Sequence, residues 1–179
     1  LGFDPKEIDF VLLSHAHLDH CGRLPLLVKG GFMGPIYTTP ATRDLAQLIL
    51  ANSASLQEKS ETPLYTLEDV EKTMTLFSPL PHKEILRKGK LEISFHYAGH
   101  LLGASWIKIK TPDTCFAFSG DLGRYNSPFY HDPEPLGDDV ELLLLETTNA
   151  NKHVPSIQQG LEDLYAEIRQ AYLEQRTVL

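Results

Sequence analysis

Short apolar segments separated by polar loops run along the whole chain, and their periodicity predicts strands. Residues 91–98 and 106–110 alternate between apolar and polar side chains, which is typical of half-buried strands. Continuous apolar runs predict buried strands instead, and a short segment rich in β-formers predicts one more strand. The buried strands are expected over residues 9–13, 115–118 and 142–145, and the short strand over 36–39.

Apolar residues at helical spacing occupy much of the chain between and after these strands. Pro40 opens a long helix whose apolar face is predicted to carry Leu45, Leu48, Ile49 and Leu56. Three further helices are expected: residues 24–28 ending at Gly30, a helix that Thr66 caps and that runs through Phe77, and a last helix over 156–174. Helices interspersed with strands predict an α/β fold.

The stretch from Ser14 to His20 concentrates metal-ligand side chains directly after the first buried strand. His15 and His17 are two residues apart, so in an extended segment they project to the same side. Asp19 and His20 follow where a helix is expected to begin, and they can face a second point nearby. A solvated polar loop with Asp19 as a helix cap is the alternative. Three imidazoles and one carboxylate favour a two-metal site.

Three later strand ends each supply one further candidate side chain. His100 lies in a loop that contains Gly99 and Gly103, and Asp121 stands between Gly120 and Leu122 in a second glycine-rich loop. Alone, these residues would be a surface histidine and an Asp turn. Glu146 follows four leucines, where a carboxylate is costly unless it is paired, so it is a functional candidate or an anchor of the next loop. With the first group, His100 and Asp121 complete a metal site.

Composition and net charge narrow the classes of function but leave the predicted fold and metal site unchanged. The chain has 179 residues and a net charge of −8, which argues against a broad basic surface for nucleic acid. Bound divalent metals would reverse the sign locally, so a nucleic-acid substrate is not excluded. Apolar runs are too short for a membrane span. The two cysteines predict reduced thiols, and we expect a cytoplasmic protein without membrane contact.

These motifs, in this order, resemble the metallo-β-lactamase superfamily. His-Ala-His-Leu-Asp-His at 15–20, the Gly-His100 loop, the Ser-Gly-Asp121 turn and the Glu146-Thr-Thr strand end carry the likeness. Two further segments are similar to the β-CASP branch of RNA- and DNA-processing nucleases: Cys21-Gly-Arg-Leu-Pro25 and the run from Gly34 to Thr42. The likeness covers nearly the whole chain.

The resemblance implies a role for each candidate residue. It places one zinc ion on His15, His17 and His100. A second zinc ion falls on Asp19 and His20, with Asp121 bridging the two ions. Asp19 and Glu146 are the implied catalytic residues, and Glu146 would orient a histidine that acts as general acid. Asn149-Ala150 stands where the family usually has Tyr-Gly, which puts the geometry of that loop in doubt.

The implied fold is a partial αββα sandwich, and the implied reaction is zinc-dependent hydrolysis of phosphodiester bonds. Residues 1–150 would form the metallo-β-lactamase domain without its first strands, and 151–179 would begin a β-CASP domain. The chain is therefore expected to be a fragment of a longer protein, and inactive on its own if the other part supplies the general acid. RNA is the expected substrate, with single-stranded DNA as an alternative, and both a homo-oligomer and a processing complex fit the resemblance.

Two other functions remain open at the level of sequence. A hydrolase of a small thioester, lactone or lactam uses the same histidine loop, and the length of the domain that follows residue 179 would separate it from a nuclease. A non-catalytic scaffold subunit of an RNA-processing complex would keep the fold but lose metal ligands. All six N-terminal ligand positions are filled here, which disfavours a scaffold.

Overall fold

The computed structural model describes residues 2–58, 60–152 and 155–178. The chain divides into two compact units, residues 1–146 and residues 147–179. The first unit carries every candidate ligand and contains two sheets. The assignment of residues 151–179 to the start of a β-CASP domain stays a prediction.

The first sheet holds three parallel strands in the order β1 (Val11–Leu12), β2 (Ile36–Thr38), β3 (Phe77–Pro79). Helices fill the connections, as parallel pairing requires. They are α1 (Leu18–Cys21), α2 (Leu24–Lys29), α3 (Pro40–Gln57) and α4 (Leu67–Met74), preceded by a 3₁₀ turn at Pro5–Glu7. Thr39 caps α3, and Thr66 and Asp69 cap α4 reciprocally. The α/β fold class is confirmed.

The second sheet holds five strands in chain order, β4 (Leu86–Lys88), β5 (Leu91–Tyr97), β6 (Ser105–Lys110), β7 (Cys115–Phe118) and β8 (Leu142–Leu144). Pairing is antiparallel from β4 to β7, whereas β7 and β8 are parallel. The link between β7 and β8, residues 119–141, contains no helix or strand. This crossover loop carries Asp121.

Two apolar clusters form the core of the first unit. One lies under the first sheet and its helices, and the other joins Tyr37 of β2 to Ile93, Phe95 and Ile107 of the second sheet. The two sheets therefore share buried side chains. This contact brings the loops that follow β1, β5 and β7 together.

The predicted apolar face of α3 was right for Leu45 and Ile49, which pack against the core, and wrong for Leu48 and Leu56. Leu48 and Leu56 are 68% and 65% exposed. The residues that the helix buries are instead one i, i+4 stripe of mostly small side chains: Thr42, Ala46, Leu50 and Ala54. Small side chains allow a helix to approach its neighbours closely, so packing overrode residue size as a guide to burial.

The helix predicted to run through Phe77 ends at Met74, and Phe77 begins strand β3. This strand pairs with β2 on one side only, so Pro79 lies on a sheet edge, where a missing N–H is tolerated. Strand β4 was not predicted. Both strands have three residues, too few to show a periodicity.

Leu142–Leu145 were predicted to be buried, and this prediction was also wrong. The strand forms over Leu142–Leu144, yet the four leucines are 37–59% exposed. In the part of the chain that is described, β8 is the outer strand of its sheet and pairs only with β7. A hydrophobic run predicts a strand here but does not say which of its faces is covered.

Among its described residues the second unit contains one helix, α5 (Ile157–Glu174), which confirms the helix predicted over 156–174, and Ser156 caps it. Its apolar positions are largely exposed, with Tyr165 at 70% and Tyr172 at 82%. Among the described residues, no helix is long and apolar enough to cross a membrane.

Candidate metal centre

His15 and His17 lie directly beyond the end of β1. Leu13 N donates to Tyr37 O of β2, which extends the strand pairing to the edge of the site. His15 is fully buried, and its Nδ1 lies 3.1 Å from Ser14 Oγ. When Nδ1 carries the proton and donates to this hydroxyl, the lone pair of Nε2 is free for a ligand.

Helix α1 places the second pair of candidates, as the sequence predicted. His17 is the residue before its first turn, and Asp19 and His20 lie within it. The Asp19 side chain is 79% exposed and that of His20 is 25% exposed. The pair therefore lies on the solvent side of the buried His15.

His100 and Asp121 come from two loops of the second sheet that are in direct backbone contact. Gly123 N donates to Ala98 O over 2.8 Å. A Cβ atom at Gly123 would stand 1.7 Å from Gly99 O, so only glycine fits there. Gly120 has φ of +53° and packs against Ser14, which sets the direction of the chain into Asp121.

Four of these residues converge on one point. His17 Nδ1 lies 3.2 Å from His15 Nε2 and 3.1 Å from His100 Nε2. Asp121 Oδ2 lies 3.6 Å from His15 Nε2 and 3.5 Å from His100 Nε2. All four ligand atoms fall within 4.8 Å of one another. Tetrahedral ligands with metal–nitrogen bonds of about 2.0–2.1 Å stand roughly 3.3–3.4 Å apart, so this group fits a divalent metal.

A second group forms around the other oxygen of Asp121. His20 Nε2 lies 3.3 Å from Asp121 Oδ1 and 3.7 Å from Asp19 Oδ2. Asp121 thus presents Oδ2 to the first group and Oδ1 to the second. The rings of His15 and His20 are 4.1 Å apart between centroids, so the two groups adjoin.

Burial, reinforced by repulsion from neighbouring imidazoles, favours the neutral forms of His15 and His100. Burial, reinforced by repulsion from His20, His100 and His17, lowers the pKa of His15 from 6.5 to about 3. Burial is also the main cause that lowers the pKa of His100, with His17 acting in the same direction. A neutral imidazole is the form that binds a metal, so little proton competition is expected at these two positions near pH 7.

Glu146 lies beside the Asp121 loop. Its Oε1 accepts from Leu122 N over 3.3 Å, and its own backbone N donates to Ser119 Oγ over 2.9 Å. These contacts join the end of β8 to the loop that carries Asp121. Glu146 thus anchors the earlier Asp121 loop, whereas the sequence alternative was an anchor of the loop that follows Glu146, and the catalytic role of Glu146 stays a prediction.

Sequence reasoning missed two kinds of residue around this centre. Ser14 orients His15, and its position directly before the histidine motif was the available signal. A proline-rich turn and the polar face of its strand predict surface positions for His82 and His96 respectively. Both are half-buried: Ser105 Oγ lies 3.0 Å from His82 Nε2, and His96 Nδ1 lies 3.2 Å from Glu134 Oε2. Nothing in the local sequence indicates these partners.

Comparison with known proteins gives several relatives. The chain is 39% identical to Ribonuclease TTHA0252 of Thermus thermophilus over 175 residues. This alignment covers 94% of the chain and 39% of the ribonuclease. The transcription termination factor FttA of Lokiarchaeum is 31% identical over 90% of the chain and 26% of the factor. The Integrator complex subunit 11 homolog of Dictyostelium discoideum is 35% identical over 81% of the chain and 20% of the subunit. The chain therefore spans 20–39% of the length of these relatives.

A family model described as a metallo-beta-lactamase superfamily domain matches residues 4–117. This range holds the histidine loop, helices α1 to α4 and the His100 loop. The superfamily implies a divalent metal, and the group of His15, His17, His100 and Asp121 could hold one. The resemblance that the sequence indicated, including its β-CASP branch, is confirmed by these matches. The chain belongs to the metallo-β-lactamase superfamily.

Proposed function

We propose that this chain carries the metal-binding part of an enzyme that hydrolyses phosphodiester bonds in nucleic acid, with RNA as the principal substrate. The observation that supports the proposal best is the placement of Asp121 between two groups of ligand atoms. A relative named as a ribonuclease, 39% identical over most of this chain, supports the choice of RNA. The activity belongs to the whole protein in which the chain functions.

Two zinc ions are the proposed cofactors. His15, His17 and His100 would hold the first ion, Asp19 and His20 the second, and Asp121 both. Imidazole and carboxylate ligands suit zinc, and the adjoining groups resemble the paired sites of two-metal hydrolases. Bound ions of this kind lower the pKa of a coordinated water and offset the negative charge of phosphate oxygens.

The chain's own residues would orient and open the site. Ser14 would accept a hydrogen bond from His15 Nδ1 across their 3.1 Å contact, which would leave Nε2 free for the metal. Glu146 ties the Asp121 loop to the end of β8 through Leu122 N. The Asp19 side chain is 79% exposed against 27% for Asp121, so it is open to solvent, which fits its proposed catalytic role.

Location and assembly follow as finer parts of the proposal. Cys21 and Cys115 are both free and buried, which supports the cytoplasm as the compartment. One relative is named as a homolog of an Integrator complex subunit. Membership of a multisubunit complex is therefore proposed for the whole protein.

Metal stoichiometry of single variants tests the site directly. The chain is loaded with Zn²⁺, desalted and analysed by elemental mass spectrometry. We expect two ions in the wild type, one in His17→Asn, one in His20→Asn, and weakened binding of both in Asp121→Asn. His131→Asn and Asp113→Asn are matched controls outside the two groups and should keep two ions. Full metal content in both His17→Asn and Asp121→Asn would overturn the proposed site.

Cleavage of single-stranded RNA tests the reaction. It is measured on the chain and on any longer protein that its reading frame encodes, with the same variants. We expect both His17→Asn, which loses one ion, and Asp121→Asn, which holds both ions weakly, to abolish cleavage. Cleavage that persists after the metal is lost would contradict metal-dependent hydrolysis.

A further inference from the structure

An aromatic pocket lies beside the loop that carries His100. Its volume is about 340 Å³, within the usual range for small-ligand sites. Gly99, Leu101 and Leu102 line one side, and the segment from Pro128 to His131 lines the other. His100 stands in the chain between two of these lining residues, so the pocket shares a wall with the candidate metal centre.

The pocket offers ring faces and no formal charge. No lysine, arginine, aspartate or glutamate lines it among the described residues. Phe129 is 84% exposed, Leu102 58% and Tyr130 37%, so three large apolar side chains at its rim contact solvent. Large apolar groups gathered at one concave place are typical of a binding site.

Two ring contacts, one stacked and one tilted, fix part of the pocket wall. Tyr97, which lines it, stacks on His82 with ring centroids 3.9 Å apart and planes 27° apart. The ring centroids of Tyr97 and His131 lie 4.7 Å apart. Glu134 N donates to Tyr97 O over 2.9 Å, which fixes the crossover loop against β5. Tyr97 and His131 are therefore held in place before any ligand arrives.

We propose that this pocket binds one nucleobase of a single-stranded nucleic acid by stacking. The inference rests on the proposed function, and it adds a subsite to it. A nucleotide has a charged phosphate and a neutral planar base. The candidate metal centre suits the first, and the adjoining charge-free aromatic pocket suits the second. Stacking on an aromatic side chain contributes about 1–3 kcal/mol per base and tolerates any base sequence.

The test compares two fluorescent oligonucleotides that share one backbone and differ only in whether the bases are present. One is a short oligoadenylate, and the other is the same strand with abasic positions that keep the phosphates. Dissociation constants are measured by anisotropy in the presence of EDTA, so that no cleavage occurs. We expect the wild-type chain to bind the oligoadenylate roughly 5- to 150-fold more tightly than the abasic strand.

Variants assign the preference to the pocket. Phe129→Ala and Tyr130→Ala should each reduce the ratio of the two dissociation constants, and Phe129→Tyr should retain it. Tyr125→Ala is the matched control, because Tyr125 is an aromatic of the same loop, 60% exposed, that lines a different cavity. Phe129 contributes little to the core, so loss of folding does not confound its variant, and circular dichroism checks this.

The outcomes separate this inference from the proposed function. Equal affinity for both strands in the wild type, or an unchanged ratio in Phe129→Ala, would overturn the nucleobase site. Because the assay is done without metal, failure of the zinc stoichiometry test leaves a measured base preference standing. Two bound zinc ions with no base preference would support the metal centre and reject the pocket.

Discussion

Replacing Gly123 by alanine should separate the two loops that meet at the metal centre. A Cβ atom at this position would stand 1.7 Å from Gly99 O and 2.7 Å from His100 N. Close C···O contacts in proteins are about 3.3–3.6 Å, so the loops must move apart by roughly 1.6–1.9 Å. His100 Nε2 and Asp121 Oδ2, now 3.5 Å apart, lie on opposite sides of this contact.

The cost has two parts. Overpacking a tight contact destabilises by about 1–3 kcal/mol, and loss of the hydrogen bond from Gly123 N to Ala98 O adds about 0.5–1.5 kcal/mol. Shifting the ligands should weaken metal binding by at least about tenfold, since even partners of ligands contribute that much. Urea denaturation in EDTA measures the first effect, and Zn²⁺ titration calorimetry measures the second.

Gly160→Ala is the matched control for Gly123→Ala. A Cβ atom at Gly160 meets no other atom within 4 Å, and the residue lies inside helix α5, so alanine should stabilise the helix by about 0.5–1 kcal/mol. Metal affinity should stay at the wild-type value in this variant. Wild-type stability and wild-type metal affinity in Gly123→Ala would refute the argument from the loop contact.

Three further predictions concern groups outside the metal centre. Asp69→Ala removes the reciprocal cap of α4 and should lower the free energy of unfolding at pH 7 by about 1 kcal/mol. Hydrogen bonds from Thr66 lower the pKa of Asp69 below 3.8, so the difference in free energy of unfolding between wild type and variant should shrink as pH falls below 3.8. Glu71→Ala is the control, and a pH-independent difference for Asp69→Ala would contradict the cap. Burial raises the pKa of Cys21 to about 11, so neither Cys21 nor the buried Cys115 should react with a thiol reagent at pH 8 until urea unfolds the chain; rapid labelling of the native chain would contradict this. Trp106 stacks on His96 at 4.1 Å, and burial lowers the pKa of His96 more than Glu134 raises it. As pH falls, the single tryptophan should therefore lose fluorescence with a midpoint below pH 6.5. The imidazole of the unfolded chain binds its proton at a higher pH than that of the folded chain, so the free energy of unfolding should fall in the same range. His96→Gln should abolish the fluorescence transition.

The histidine loop was predictable because its meaning is local. His15, His17, Asp19 and His20 are contiguous, and their spacing after a strand already indicates two groups of ligands. His100 and Asp121 were predictable as loop residues at strand ends. That they complete the site of the first loop was inferred from their residue types, although no local pattern in 179 residues says which loops meet. The resemblance then assigned each residue to one of the two ions.

Features that depend on distant packing were less predictable. The stripe of α3 from Thr42 to Ala54 is buried because small side chains fit against neighbours, whereas the larger Leu48 faces solvent. The exposure of Leu142–Leu145 depends on what covers a strand, which periodicity does not contain. The partners of His82 and His96 lie up to 38 residues away in the chain, so their burial was invisible locally.

The candidate centre joins the two sheets, and this gives a bound metal a mechanical consequence. His15 and His17 follow a strand of the first sheet, while His100 follows a strand of the second, 83 residues after His17. An ion shared by these side chains in the native state would act as a removable cross-link between loops that are far apart in the chain. Free metal at 100 times its dissociation constant would stabilise the native chain by about 2.7 kcal/mol. Chelators used during purification would then remove this stabilisation of the contact between the sheets. Thermal unfolding with and without Zn²⁺ would measure its size.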